Sequence, residues 1–336
     1  MTVDTSRDTV PDFDVLAIGN ALVDVLAHAP DEFLGDHDMA KGAMTLIDAV
    51  HAEALYGAMG PGVEISGGSA ANTVVGLAGF GGRAAFIGRV RDDQLGAVFA
   101  HDIRAAGVHY ATPPATVGPP SGRCLILVTP DAQRTMGTFL GASTFLTPDD
   151  VDPDLVRRSG ITYLEGYLWD EPDAKAAFVY AANLAHEAGR RVALSLSDGF
   201  VVDRHRPEFL ELVAGHIDIL FANEVEICSL YETESFDDAL QQVNHHCEVA
   251  ALTRGAKGAV VISGDEVHII DARPVDRVED TTGAGDLFAA GFLYGFTQGR
   301  DLGTCGRLGS LAAAEIIGHM GARPEADLAA LARDTL

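Results

Sequence analysis

Short apolar runs recur along the chain, each followed by a longer mixed segment. Residues 15–19 (VLAIG) read as a buried strand and 84–88 (AAFIG) as another. Between them, 65–68 is a short strand that meets two glycines, and a small-residue helix follows to about Phe80. Asp92 opens a helix that runs to about Ala106, where Gly107-Val108 ends it. Residues 161–165, 191–195, 218–221 and 249–253 give four further apolar strands. Helical stretches separate them, including 173–189 and 207–214. This alternation predicts a mostly parallel sheet covered by helices. A glycine-rich turn after 253 leads to a strand at 260–263, and the last long helices begin near Asp286 and at 302–320.

Two parts break the alternation. Residues 28–62 carry mixed signals, and 112–120 (TPPATVGPP) is proline-rich. After that break, 124–129 reads as a strand, Pro130-Asp131 as a turn and 134–140 as a returning strand. These parts predict a small β lid, 21–62 and 112–142, beside a large α/β domain of 1–20, 63–111 and 143–336.

Composition changes the picture at one point. Lys and Arg total 23 against 49 Asp and Glu, a net charge of −26. Such a surface is expected to repel nucleic acid and anionic membranes, which leaves small molecules as partners of a monomer or homodimer. It also repels a nucleotide at long range. A phosphate site here therefore needs backbone amides, a metal ion and a few arginines. The acidity itself reads as solubility. Four cysteines without a CxxC argue against zinc or a disulfide framework, and His245-His246-Cys247 reads as a solvated helix surface. With no apolar run of bilayer length and no signal core at residues 1–14, a cytoplasmic protein is expected.

The stretch 278–295, VEDTTGAGDLFAAGFLYG, carries the most chemistry. Asp280, Thr281 and Thr282 offer oxygen ligands and turn hydrogen bonds. Gly283-Ala284-Gly285 allows a sharp turn and leaves the amides of a helix start uncovered. Those amides are unpaired donors that suit an anion. Asp286 reads as a helix cap, or as a base for a hydroxyl that attacks a phosphate held on those amides. The preceding DTT and the apolar helix favour phosphoryl transfer.

Other residues are candidates with two readings each. Asp24 is a surface acid or a carboxylate for two neighbouring hydroxyls. Gly67-Gly68 lets a ligand touch the backbone, and Asn72 one turn later both donates and accepts. Arg134, near its hairpin turn, is solvated or reaches a phosphate. Asn223 and Glu226 form a helix capping box, or order water on a magnesium ion; both can hold together. Thr253-Arg254-Gly255 with Gly258 hugs a flat ligand or reverses the chain. The chain has neither a Walker loop nor a dinucleotide fingerprint after a strand.

Residues 280–286 (DTTGAGD) resemble the signature of the ribokinase-like (PfkB) family of carbohydrate and nucleoside kinases. The resemblance extends over roughly 12–325, with several motifs in the family's order. It implies a three-layer α/β/α fold with a mostly parallel sheet and a small β-sheet lid. It implies that Asp286 is the catalytic base and that Gly283, Ala284 and Gly285 form the anion hole. Asn20, Asp24, Gly67, Gly68 and Asn72 would then hold the sugar. Asn223 and Glu226 would serve the phosphates and magnesium, and Thr253, Arg254, Gly255 and Gly258 the nucleotide.

Within the family the chain is most similar to the adenosine kinases. Residues 19–24 resemble their G-N-x-L-x-D, and Ser121-Gly122-Arg123-Cys124 resembles their T-G-T-C with altered middle positions. Arg134 falls near their lid arginine, and Tyr167 near an aromatic that stacks on the base. The implied reaction moves the γ-phosphoryl group of ATP, with Mg2+, to a primary hydroxyl, in the first place that of adenosine to give AMP. A ribose or other sugar kinase, or a non-catalytic nucleoside or sugar binder, is the alternative. The resemblance also suggests a monovalent cation, K+, at backbone oxygens of Asp280 and Thr282.

Overall fold

A computed structural model describes residues 10–131 and 133–336. The strands in chain order are β1 (Phe13–Ile18), β2 (Leu22–His28), β3 (Met44–Leu46), β4 (Val63–Gly67) and β5 (Ala84–Ile87). Then come β6 (His109–Tyr110), β7 (Gly122–Val128), β8 (Arg134–Phe139), β9 (Ser159–Glu165) and β10 (Arg191–Ser195). The last are β11 (Ile219–Asn223), β12 (Val249–Thr253), β13 (Ala259–Ser263) and β14 (Glu266–Ile270).

Nine strands form one sheet in the order β14-β13-β12-β11-β10-β9-β1-β5-β6. All neighbours from β6 to β12 are parallel, and β13 and β14 add an antiparallel edge. Successive side chains of a strand face opposite sides, and a sheet buried on both sides has no polar positions to spare. β1 shows this residue by residue. Val15 and Ala17 enter one apolar cluster, with Val74, Leu287, Phe292 and Leu308 from the helices Ser69–Gly79, Ala284–Thr297 and Leu302–Ile316. Leu16 and Ile18 enter another, with Phe178, Phe209 and Ile227 from the helices Pro172–Glu187, Gly199–His216 and Glu224–Leu230. Three layers result, as the resemblance implied.

The other sheet has the order β3-β8-β7-β2-β4. Residues 63–67, assigned from the sequence to the large domain, run here instead as β4, antiparallel to β2. Helix limits also move. The segment expected at 207–214 is the second half of Gly199–His216, kinked at His205 where Pro207 interrupts the hydrogen-bond ladder. The last long helix ends at Ile316 rather than Met320. Residues 245–247 lie in the turn after the helix Phe236–Val243, with His246 Nδ1 2.8 Å from the Tyr231 hydroxyl. Among the described residues no helix is long and apolar enough to cross a membrane.

Candidate active site

In a parallel sheet the carboxyl ends of neighbouring strands share one edge, where open α/β sheets bind ligands. Asn20 lies just beyond β1, Glu165 ends β9, Asn223 ends β11 and Thr253 ends β12. Asn223 and Thr253 are register partners. The helix Ala284–Thr297 begins at this edge. Its N-cap, Gly283, has φ 78°, and a Cβ there would lie 2.9 Å from that of Ala322. Glycine is therefore required by the protein itself at that position. Gly285 differs, because a Cβ there meets no atom of the described residues within 4 Å. Among the described residues the amides of Gly283, Gly285 and Asp286 have no protein acceptor. Ala284, expected to face an anion, donates instead to the Thr281 carbonyl at 3.2 Å. Uncovered amides beside open space fit a phosphate group.

Asp286 does not cap this helix; it sits in the first turn. Its Oδ1 accepts from Ser69 Oγ at 2.6 Å and its Oδ2 from Asn72 Nδ2 at 3.0 Å. Burial raises its pKa, while the two hydrogen bonds and Arg323 oppose the rise. Asn72 Oδ1 is buried without a partner, which leaves an acceptor for a ligand hydroxyl.

The half-buried Asp24 lies on β2 beside its register partner Cys124 on β7. A Cβ on Gly67 would come within 2.4 Å of the Asp24 carboxyl carbon, so the carboxylate fills the space of the absent side chain. Gly68 has φ 100° and its missing Cβ makes room for the Asn20 carbonyl. Burial raises Asp24 to about 6 against the pull of Arg323 and Arg134. Burial also pushes the Cys124 thiol up to about 12, so it meets the cleft as a neutral thiol. Burial raises the Tyr167 hydroxyl pKa, and the charges of Asp198, Asp286, Glu165 and Glu226 add to the rise.

Some expected contacts are engaged elsewhere. The Asn20 amide donates to Glu165 Oε1 at 2.6 Å and its oxygen accepts from Ser143 Oγ at 2.7 Å. It therefore braces the crossing between the sheets rather than pointing a free amide at a sugar. Arg254 Nη2 donates to Glu224 at 2.9 Å and its guanidinium lies 4.0 Å from the centre of the Phe236 ring. Gly255 and Gly258 have φ 57° and 83°, and a Cβ on Gly258 would lie 2.0 Å from the Ile270 carbonyl. That turn needs glycine to fold into β13.

Asn223 and Glu226 form a complete capping box, with contacts of 2.6–2.9 Å. Burial raises Glu226 to about 7. Arg134, from β8, forms a buried ion pair with Asp280. The same carboxylate accepts from Thr282 N (3.0 Å), Thr282 Oγ1 (2.8 Å) and Gly321 N (3.1 Å). Donors thus saturate the Asp280 side chain, so only the backbone oxygens of Asp280 and Thr282 are left for the expected cation. Among the described residues no group of three His, Cys, Asp or Glu is arranged to hold a metal.

Three contributors carried no motif. Glu165 accepts from Ala70 N at 2.8 Å as well as from Asn20, and burial raises it to about 7. Ser69 and Arg323 are the others. A single buried acid closing an apolar strand was the available signal for Glu165. Ser69 and Arg323 gave none.

Residues 44–328 match the model of the pfkB family carbohydrate kinase. An adenosine kinase from Sinorhizobium meliloti superposes with a TM-score of 0.88 at 53% identity, over 96% of this chain and 99% of the other. A probable sugar kinase from Rhizobium etli gives a TM-score of 0.89 at 51% identity, over 96% and 98%. The adenosine kinase of Saccharomyces cerevisiae is 28% identical over 331 residues, 91% of this chain and 95% of that one. A helix start bared for an anion, with a buried acid in its first turn, is thus found in a chain that matches such proteins over most of its length, and this chain is a kinase of the pfkB carbohydrate kinase family.

Proposed function

We propose that this kinase transfers the γ-phosphoryl group of ATP to the 5′-hydroxyl of a nucleoside, with adenosine as preferred acceptor. One observation carries the reading: a single turn meets both acids, with Gly67 packed on the Asp24 carboxylate and Ser69 and Asn72 donating to Asp286. An ionised carboxylate accepts from two hydroxyls at once, which suits the ribose diol at Asp24. The far end of the same ribose then brings its primary hydroxyl to Asp286. The 53% identity to an adenosine kinase supports the choice of acceptor.

In this mechanism Ser69 and Asn72 aim the Asp286 carboxylate, which takes the hydroxyl proton as the oxygen attacks phosphorus. The bared amides of Gly283, Gly285 and Asp286 receive the phosphate oxygens, and positioning plus charge stabilisation does most of the catalysis. Arg134 brings a positive charge from the small sheet. Magnesium, when bound with the nucleotide, supplies charge neutralisation on the phosphates. The Asn223–Glu226 box would order its water.

A second reading, a sugar kinase, is favoured by the Rhizobium etli neighbour. The altered T-G-T-C positions do not support it. Arg123 alternates with Cys124 along β7, and its guanidinium pairs with Glu53 at 2.9 Å and covers the Tyr56 ring. It lies on the sheet face turned away from Asp24. ADP release with a panel of nucleosides and free sugars tests the proposal. Adenosine is expected to give the highest kcat/KM, and a free sugar that exceeds it would replace this reading.

A further inference from the structure

Arg323 belongs to no motif, yet it touches both ends of the turn that builds the acceptor side of the cleft. It follows the helix Leu302–Ile316. Its Nε donates to the Ser66 carbonyl at 3.0 Å and its Nη1 to the Ala71 carbonyl at 3.2 Å. Its Nη2 reaches the Ser66 carbonyl and, at 2.9 Å, the Ser66 hydroxyl. Ser66 is held from behind by Asp102, whose Oδ2 accepts from Ser66 N at 2.8 Å and Ser66 Oγ at 2.5 Å. Between the two gripped carbonyls lie Gly67, Gly68, Ser69 and Ala70. Two adjacent glycines have the largest backbone freedom to lose, and no side chains to anchor them. The turn must be fixed from outside.

We propose that Arg323 is a positioning residue for phosphoryl transfer, a clamp that sets the 67–70 turn so that Gly67 meets Asp24 while Ser69 and Asn72 meet Asp286. The proposal rests on reading Asp286 as base and Asp24 as acceptor anchor. An arginine suits the task because its planar fork spans several acceptors at fixed angles. Its charge has a second effect. Asp24, Asp102 and Asp286 all face it, and burial lowers its own pKa to about 10. Glu165 from β9, Glu226 from its helix, and Tyr163 and Tyr167 also sense the charge of Asp286. The carboxylates among these add negative charge, and Arg134 from β8 is the other cation that acts on Asp24.

The test uses the full chain with Arg323→Gln, Arg323→Lys and Asp102→Asn, and Asp286→Asn alongside. Arg323→Gln is expected to raise acceptor KM and lower kcat roughly tenfold or more, since small misplacements of reacting groups are costly. Losing the cation also moves the acid limb of kcat/KM up by about one pH unit. Amide hydrogen exchange over 66–72 quickens. Arg323→Lys restores the acid limb but not the exchange protection. Asp102→Asn speeds exchange in the same segment without moving the limb upward. If Arg323→Gln does not fold, the other two variants carry the test. Wild-type exchange over 66–72 with an unshifted acid limb would overturn the clamp. Full activity of Asp286→Asn would instead overturn the base assignment, and the exchange data would still judge the clamp.

Discussion

Asp286 meets two opposed demands. Burial favours its neutral form, and the Ser69 and Asn72 donors favour the ionised form that a base requires. Asp286→Asn is expected to keep nucleotide affinity while turnover falls roughly 10²–10⁴-fold, the usual worth of general base catalysis. Nucleotide titration and ADP release check the two halves separately. Asp24 adds a stability cost. Its folded pKa is raised from 3.8 to about 6, so its favourable contribution is complete below 3.8 and is lost as pH rises through 6. Asp24→Asn should therefore stabilise the fold at pH 8 by on the order of 1 kcal/mol, discounted for solvent reach. The gain should vanish near pH 4, while acceptor KM rises. Equal melting shifts at both pH values would contradict this assignment. Asp24, Asn72 and Asp286 stood out as candidates because each sits in a short, unusual local context, and the fold joins Asn72 to Asp286. Asn20 and Arg254 were legible as residue types, but their side chains serve Glu165 and Glu224. Ser69 and Arg323 gave no local signal, because what they do depends on partners 217 and 257 residues away.

The helix Ala284–Thr297 carries the chemistry at its first turn, where two glycines do different jobs. Gly283 is demanded by its left-handed backbone and by Ala322. Among the described residues nothing demands Gly285, which leaves its bare backbone open to a ligand. Gly285→Ala is expected to hold or raise stability, by about 0.4–1 kcal/mol at most, because it reduces the freedom of the unfolded chain. Phosphoryl transfer should nonetheless drop. A melting curve and an ADP assay on the same sample decide, and an alanine enzyme of full activity would remove the anion-hole role. Sequence periodicity found β1, β5 and β9 to β12 of the large sheet and several of the helices between them, but not the two-residue β6. It read a strand at β4 but assigned it to the large domain, because Val63–Gly67 runs straight into a glycine pair and helix whose contacts belong there. It also missed the first half of Gly199–His216, because Pro207 reads as a start when it is an internal kink.

The whole molecule couples two sheets. The chain leaves the large sheet at Asn20 and again after β6, and returns after β4 and near Ser143; one buried network with Glu165 ties the first crossing to the last. Arg134 and Asp280 join the small sheet to the signature. A net charge of −26 acts on all of it through self-repulsion. The melting temperature should therefore rise as NaCl goes from about 10 mM to about 500 mM, where the Debye length shrinks below typical charge spacings. A falling melting temperature would mean that attractive surface pairs outweigh the repulsion. Sequence alone determined local terms: most strands of the large sheet, the glycines at a helix start, and which acids were candidates for chemistry. Those depend on neighbours along the chain. Only the tertiary structure decided which acids meet one turn, which arginines are already engaged, and which cation grips that turn. Such pairings depend on burial and on distances between residues far apart in the chain, and periodicity carries no trace of either.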